Sequence, residues 1–245
     1  MEALKFAVFE FEHTDMKRAH ADEELASSQT KKAKKTAGVL FFWSCGSSSV
    51  KIFSNFYGAP LVIEWPSSEG LSEDIPPFLH GLRRTYPSNE HAYQALKCLD
   101  LDSADAFTTS GVFGSFRVFG KWPSKNGKSV SDMVVAKEKA WGECPGIIAK
   151  MVSKLEPKVI KRMWGVLFEQ RRLSEQVWAP ILQAKFSPGS VLAKALVATE
   201  GQQLVEYDRS SRLSYWGAKL NAENGQLVGA NAFGELLMRH RLALL

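Results

Sequence analysis

TYPSNEHAYQALK, residues Thr85 to Lys97, is the stretch from which the rest of the chain can be read. Pro87 breaks the segment before it, and Ser88 offers a hydroxyl as a helix N-cap. In the helix that follows, Glu90, Gln94 and Lys97 recur at i, i+4 and i+7, so their side chains project from one face. Tyr93 and Leu96 fall on another face, so one side of this short helix can join a core while a carboxylate, an amide and an amine line a cavity. The helix dipole alone also favours an acid in the first turn and a base near the last, so Glu90 and Lys97 equally fit a helix with no chemistry to do.

Outward from this helix, 245 residues at 45% hydrophobic content can bury a substantial core, as one large domain or two small ones. A net charge of +5, partly from a basic N-terminal tract, points to anionic partners without specifying nucleic acid. Three cysteines, Cys45, Cys98 and Cys144, are widely spaced with no C-x-x-C pair. That excludes a disulfide framework or zinc site of the usual spacing and fits a reduced, cytoplasmic setting. No apolar run reaches the roughly 18 residues of a membrane span, and the N-terminus lacks the order of a secretory signal. Neither a Walker loop nor a dinucleotide glycine fingerprint occurs, so no cofactor and no metal are expected.

Residues 1–37 read as a peripheral arm. LKFAVFEF, Leu4 to Phe11, is a short strand or a docking arm, and His13 to Thr36 is too polar to fill a core. Within it Lys31 to Lys35 is either a nuclear-import or polyanion-binding patch or a solvated charge run. The domain begins near Gly38 and runs to Leu245, with Val39–Trp43 a strand, CGSSS a turn and VKIFSNF a returning antiparallel strand. Ser54 and Asn55 end it, placed to hydrogen-bond a ligand or to cap a turn. Leu61–Trp65 is another strand, and 66–84 a surface loop in which His80 is inert. Residues 103–130 mix glycines with aromatics, and nothing in the spacing there forces a phosphate-binding role on Arg117 or Lys121. Helices follow from Ser131, Pro145, Pro157 and Ser174, then over the stretch from Ser187. Trp164 and Trp178 read as core residues. Trp216 beside Gly217 suits close stacking of a base or ribose, or a packed core. Asn231 caps a final helix whose Phe233, Leu236 and Leu237 face inward. The expected fold is α+β and mostly helical, with a small antiparallel β element.

The stretch around Glu90, with its small-residue turn, Glu-His pair and following Gln and Lys, resembles the signature of the NADAR family, also called YbiA-like. FSNFYGAP at Phe53–Pro60 resembles that family's opening motif. Further blocks recur in family order: AKF at Ala184–Phe186, LVE at Leu204–Glu206, WG at Trp216 and Gly217, and GANAFGELLMRHR from Gly229 to Arg241. The resemblance covers about residues 40 to 245 as an ordered set of blocks. It makes Asn55, Phe53 and Phe56 candidates for holding a ribose or base, with Ser54, Gln94, Lys185, Trp216, Gly217 and Asn231 beside them. Arg241 resembles the family's C-terminal arginine, placed to neutralise phosphate or to satisfy a carboxylate.

What the resemblance implies is hydrolysis of an N-glycosidic bond between ribose C1 and an amino-linked base, with Glu90, Lys97 and Asp208 as catalytic residues. The family's substrates are ribosylamino-pyrimidine phosphates of riboflavin synthesis, or ADP-ribose on guanine of nucleic acid. Glu90 would activate water or shuttle a proton; Lys97, if the sugar ring opens, would attack C1 from a sheltered amine of lowered pKa. The family's Asp three residues before the WG pair is Leu213 here, and Asp208 is the acid upstream of it. Asp208 reaches the pocket only if the intervening SSRLS bulges outward; otherwise the chain is a weak enzyme or an ADP-ribose or nucleotide-binding module.

Overall fold

β1 (Val39–Phe42) opens the computed structural model, which describes residues 38–43, 49–67, 75–114, 144–152, 175–208, 215–221 and 223–245. The antiparallel return expected for VKIFSNF does not form; Ser49–Phe53 is a 3-10 turn. Ile52 and Phe53 are adjacent and both buried, whereas neighbours on a pleated strand point to opposite faces. The tighter turn, continued by Ser54 N–H donating to Lys51 O at 2.9 Å, puts both into the core.

β2 (Leu61–Glu64) shows the alternation its sequence implies, with Leu61 and Ile63 buried and Val62 and Glu64 exposed. It pairs antiparallel with β3 (Arg83–Tyr86), Leu61 opposite Tyr86. Beyond the pair, Trp65 Nε1 donates to the Tyr86 hydroxyl at 3.2 Å. Part of the expected surface loop between them is core instead: Ile75 and Leu79 are buried, the latter in a 3-10 turn (Pro77–Leu79). Two apolar side chains in a Pro-rich stretch have more to gain from burial than from solvent.

Six α-helices occur among the described residues. Those capped by a side chain follow the expected chemistry: α1 (Asn89–Ala95) has Ser88 at its N-cap and α2 (Leu101–Asp105) has Asp100. α3 (Gly146–Val152) and α4 (Glu175–Lys185) follow, then α5 (Val191–Val197) with Ser190 accepting from Ala193 N–H at 3.0 Å. β4 (Gln203–Glu206) pairs in parallel with β1, Leu40 opposite Leu204 and Phe42 opposite Glu206. A short antiparallel pair, β5 (Lys219–Leu220) and β6 (Leu227–Val228), precedes α6 (Ala232–Leu244). The architecture is therefore α+β and mostly helical.

One hydrophobic cluster runs from Phe42 through Trp178 to Leu237. α1 lies inside it, packed on α3 and α4, and all seven of its residues are buried. α6 covers β4, α4 and α5. No described helix is long and apolar enough to cross a membrane. The expected arm at 1–37 with Lys31–Lys35, the turn at CGSSS but for Ser49, Arg117 and Lys121, and the helices from Ser131 and Pro157 with Trp164 lie outside the described residues.

The approach of α3 to α1 sets a steric limit. A Cβ on Gly146 would stand 2.6 Å from Phe56 Cα, 2.8 Å from Ser88 Oγ and 3.0 Å from Glu90 Cβ, while its N–H donates to Phe56 O at 3.1 Å. Gly146→Ala is expected to cost about 1–3 kcal/mol, as overpacking against backbone does. The change is read as a lower urea midpoint, and an unaltered midpoint would show that α3 has room to withdraw.

Candidate active site

Ser88 and His91 lock the start of α1. Ser88 Oγ accepts from His91 N–H at 3.4 Å, and the imidazole Nε2 stands 3.0 Å from Phe113 O. A carbonyl only accepts, so Nε2 carries the proton and Nδ1 accepts the Ser88 hydroxyl at 2.9 Å. Burial pushes His91 down to about 4, so it is a neutral brace with both nitrogens engaged.

The brace aims the next residue. Glu90 N–H donates to Asn55 O at 3.1 Å, and Asn89 Nδ2 reaches Asn55 Oδ1 at 3.4 Å, which ties α1 to the 54–57 turn. One turn along, Gln94 Nε2 donates to Glu90 Oε1 at 2.6 Å, the i, i+4 pair expected from the spacing. Lys97 lies just past the helix, its N–H on Gln94 O at 3.1 Å. Its buried Nζ stands 3.7 Å from the centre of the Tyr93 ring. Tyr93 in turn stacks on Trp178 at 4.8 Å, and Trp216 meets both rings edge-on at 5.7 and 5.4 Å. The aromatic corner under the amine thus draws on α1, α4 and the segment before α6.

From the far end of the chain, Gly217 packs against β4. A Cβ there would fall 2.7 Å from Glu206 O and 2.9 Å from Asp208 Cβ. Asn231 holds the same strand, though not as expected. It stands at the N-cap of α6 in the left-handed conformation (φ 51°) but makes no capping bond. Its Oδ1 accepts from Glu206 N–H at 3.0 Å and its Nδ2 donates to Leu204 O at 2.8 Å. The amide acts as a one-residue ladder along an edge of β4, and that pairing outweighs a single cap bond.

β4 ends on Glu206. Its Oε2 is buried with no hydrogen-bond partner. Burial pushes the carboxyl up to about 8; Lys150 on α3 opposes the shift, and Glu90 and Asp208 add to it. Lys150 itself lies 4.9 Å from the centre of the Phe56 ring. Glu90, Glu206 and Asp208 therefore share one electrostatic neighbourhood, although they come from α1, β4 and the residue pair beyond it.

Of the residues expected from sequence, Glu90, Gln94, Lys97, Asn55, Phe56, Trp216, Gly217, Asp208 and Asn231 belong to this linked set. Four others, Phe53, Ser54, Lys185 and Arg241, lie elsewhere. Phe53 is a core residue, edge-on to Phe42 at 6.2 Å. Lys185 donates to Ser54 O at 2.7 Å, and burial pushes its amine down to about 7; with Ser54 wholly buried, the pair holds the 54–57 turn from within. Arg241 spends Nη1 on Thr199 O at 2.5 Å, Thr199 Oγ1 at 2.8 Å and Gln202 O at 3.1 Å, at the opposite end of β4 from Glu206. Sequence reasoning passed over Glu206, Lys150 and the place of Trp178 in the stack. The one legible signal was an acid closing the apolar run Leu204–Val205.

No family model matches the chain. It is similar to curated proteins named N-glycosidase YbiA from Shigella boydii and from Escherichia coli, each 29% identical over 153 residues, covering 56% of this chain and 87% of the relative. The solution structure of Escherichia coli YbiA aligns over 86% of this chain and 90% of that one, at 24% identity and a TM-score of 0.44.

His91 also makes the site acid-sensitive. Its folded value near 4 lies below the ordinary 6.5, so the unfolded chain binds the proton more readily and stability falls as pH drops from about 6.5 to about 4. Across that window the urea midpoint of wild type should fall relative to that of His91→Gln, which cannot charge, and a constant difference between the two would remove His91 as the cause.

Proposed function

We propose that this YbiA-like chain is an N-glycosidase that hydrolyses the bond between C1 of a ribose and an amino-linked base. The observation that carries the reading is the Glu90–Gln94 pair set beside Lys97 and the Tyr93–Trp178–Trp216 corner. Cleavage of such a bond builds positive charge at C1 and negative charge on the departing nitrogen, so a carboxylate near the carbon and an aromatic wall for the base meet the two needs. Gln94 orients Glu90, which accepts the proton of the attacking water. Asp208 adds negative charge on the same side. Asn55 and Phe56 border the sugar, and Trp216 with Gly217 at its back borders the base.

Lys97 offers C1 a second route. In the ring-opened sugar its amine adds to C1 and gives a Schiff base that water then hydrolyses. The burial of Lys97 supports this role, since a sheltered amine is easier to hold neutral, while the Tyr93 face beneath it also suits a cation that receives a phosphate. Two substrate classes fit, a ribosylamino-pyrimidine phosphate and ADP-ribose carried on guanine of nucleic acid. In this reading residues 38–245 form the catalytic domain, and 1–37 an arm whose basic stretch, Lys31–Lys35, would add affinity for the nucleic-acid substrate.

Incubation of the purified chain with each substrate should release the ribose phosphate or ADP-ribose. Glu90→Gln is expected to lower turnover by about 10²–10⁴-fold while substrate affinity stays within a few-fold. Binding without release by the wild-type chain would make it a nucleotide-binding module instead.

Lys97→Ala should lower turnover by at least about 10²-fold. Borohydride added during turnover separates the routes: an adduct on Lys97 identifies the Schiff base, and full activity in Lys97→Ala removes this residue from the chemistry.

A further inference from the structure

Glu206 is a buried carboxyl to which the glycosidase reading assigns no work. Its backbone is fixed on both sides, the N–H on Asn231 Oδ1 at 3.0 Å and the carbonyl accepting from Ala218 N–H at 2.9 Å. By the period of two in a strand, its side chain leaves β4 on the face of Leu204, which belongs to the hydrophobic core cluster, whereas Val205, equally buried, does not. Val205 and Tyr207 take the other face, where Tyr207 meets Phe41 and Trp43 edge-on at 5.9 and 6.0 Å. Glu206 therefore points inward, toward the neighbourhood of Glu90, Asp208 and Lys150. There Oε2 meets no donor. Glu90, in contrast, accepts from Gln94 at 2.6 Å. Two carboxyl groups in one electrostatic neighbourhood, one given a donor and the other with none at Oε2, divide into a proton acceptor and a proton holder.

We infer that Glu206 is the general acid that protonates the departing nitrogen, an inference that rests on the glycosidase reading above. The Glu206 O–H passes its proton to the nitrogen as the C1–N bond breaks, and the electron pair of that bond stays on nitrogen. The base leaves as a neutral amine. Water adds to C1 and gives its surplus proton to Glu90, and that proton returns to Glu206. One water is consumed, its OH on the sugar and its H on the base. The raised value near 8, caused first by burial, leaves Glu206 protonated at neutral pH; Lys150 opposes the shift, and Glu90 and Asp208 add to it.

The test compares wild type with Glu206→Gln on two glycosides of the same ribose phosphate. One carries an exocyclic amino-pyrimidine, which departs only with a proton; the other carries nicotinamide, a pyridinium that departs neutral without one. Glu206→Gln should lower kcat on the first by about 10²–10⁴-fold with KM within about threefold, and the loss on the second should be at least about tenfold smaller. An equal loss on both, or none, overturns the assignment. If wild type cleaves the amino-pyrimidine glycoside alone, the pH profile decides: wild type should lose activity above about pH 8 and Glu206→Gln should lack that limb, whereas a limb kept in the variant overturns it. A folding readout stands apart from turnover. The folded carboxyl holds its proton up to about 8 and the unfolded one releases it near 4.5, so across that window wild-type stability should fall relative to that of Glu206→Gln as pH rises. A stability difference between wild type and Glu206→Gln that stays constant from pH 4.5 to about 8 overturns the proton-holding role. Cleavage of neither glycoside by wild type brings down the glycosidase reading, and this inference with it.

Discussion

A seven-residue helix with every side chain buried cannot be stabilised by its own propensity, because nucleation alone makes so short a segment unstable in water. α1 exists because its surroundings fix it. The Glu90 N–H on Asn55 O, the Ser88–His91–Phe113 chain and the bare Gly146 at its flank each remove a way for it to shift. The same contacts aim Glu90 and Gln94. Fold and site are thus held by one set of constraints, and a change that loosens α1 would be felt as lost geometry at the carboxylate before it was felt as unfolding.

Local chemistry carried the helix readings. Ser88 caps where a hydroxyl can reach a free N–H, and the i, i+4 spacing of Glu90 and Gln94 becomes a 2.6 Å hydrogen bond, whereas the caps at Asp100 and Ser190 were not read from sequence. Alternation in Leu61–Glu64 gave a strand for the same kind of reason. The misreadings came where the partner was distant. Val39–Phe42 has the composition of a strand, yet nothing in it says whether the neighbour is the next segment or Gln203–Glu206, and the antiparallel choice was the local one. Asn231 likewise stood where a cap belongs, but a strand edge within reach claimed its amide.

The β1–β4 pairing also explains why Glu206 was not legible as a site residue. From sequence it is a charge at the end of an apolar run, a common way to finish a strand. Only the parallel register, with Glu206 opposite Phe42, and the close approach of Gly217 behind its carbonyl turn it inward. Trp178 follows the same logic: its apolar spacing marks it as core, which it is, but core here includes the floor beneath Tyr93 and Lys97. Here the packing residues of the core and the floor of the candidate site are the same side chains seen from two sides.

Lys185 and Lys97 show that burial of an amine does not by itself assign a role. Both are buried, and Lys185, pushed down to about 7, has the value a nucleophile would want. Its Nζ, however, donates to Ser54 O at 2.7 Å, joining the end of α4 to the turn that receives Glu90. Freeing that nitrogen for reaction would release the turn, so its low value is a consequence of being enclosed as a staple. Arg241 follows the same rule with three acceptors at the end of α5. Lys97 is set differently: its Nζ lies over the face of Tyr93 in the corner shared with Trp216. Glu206, by contrast, has no donor at Oε2 and so no hydrogen bond there that the fold depends on.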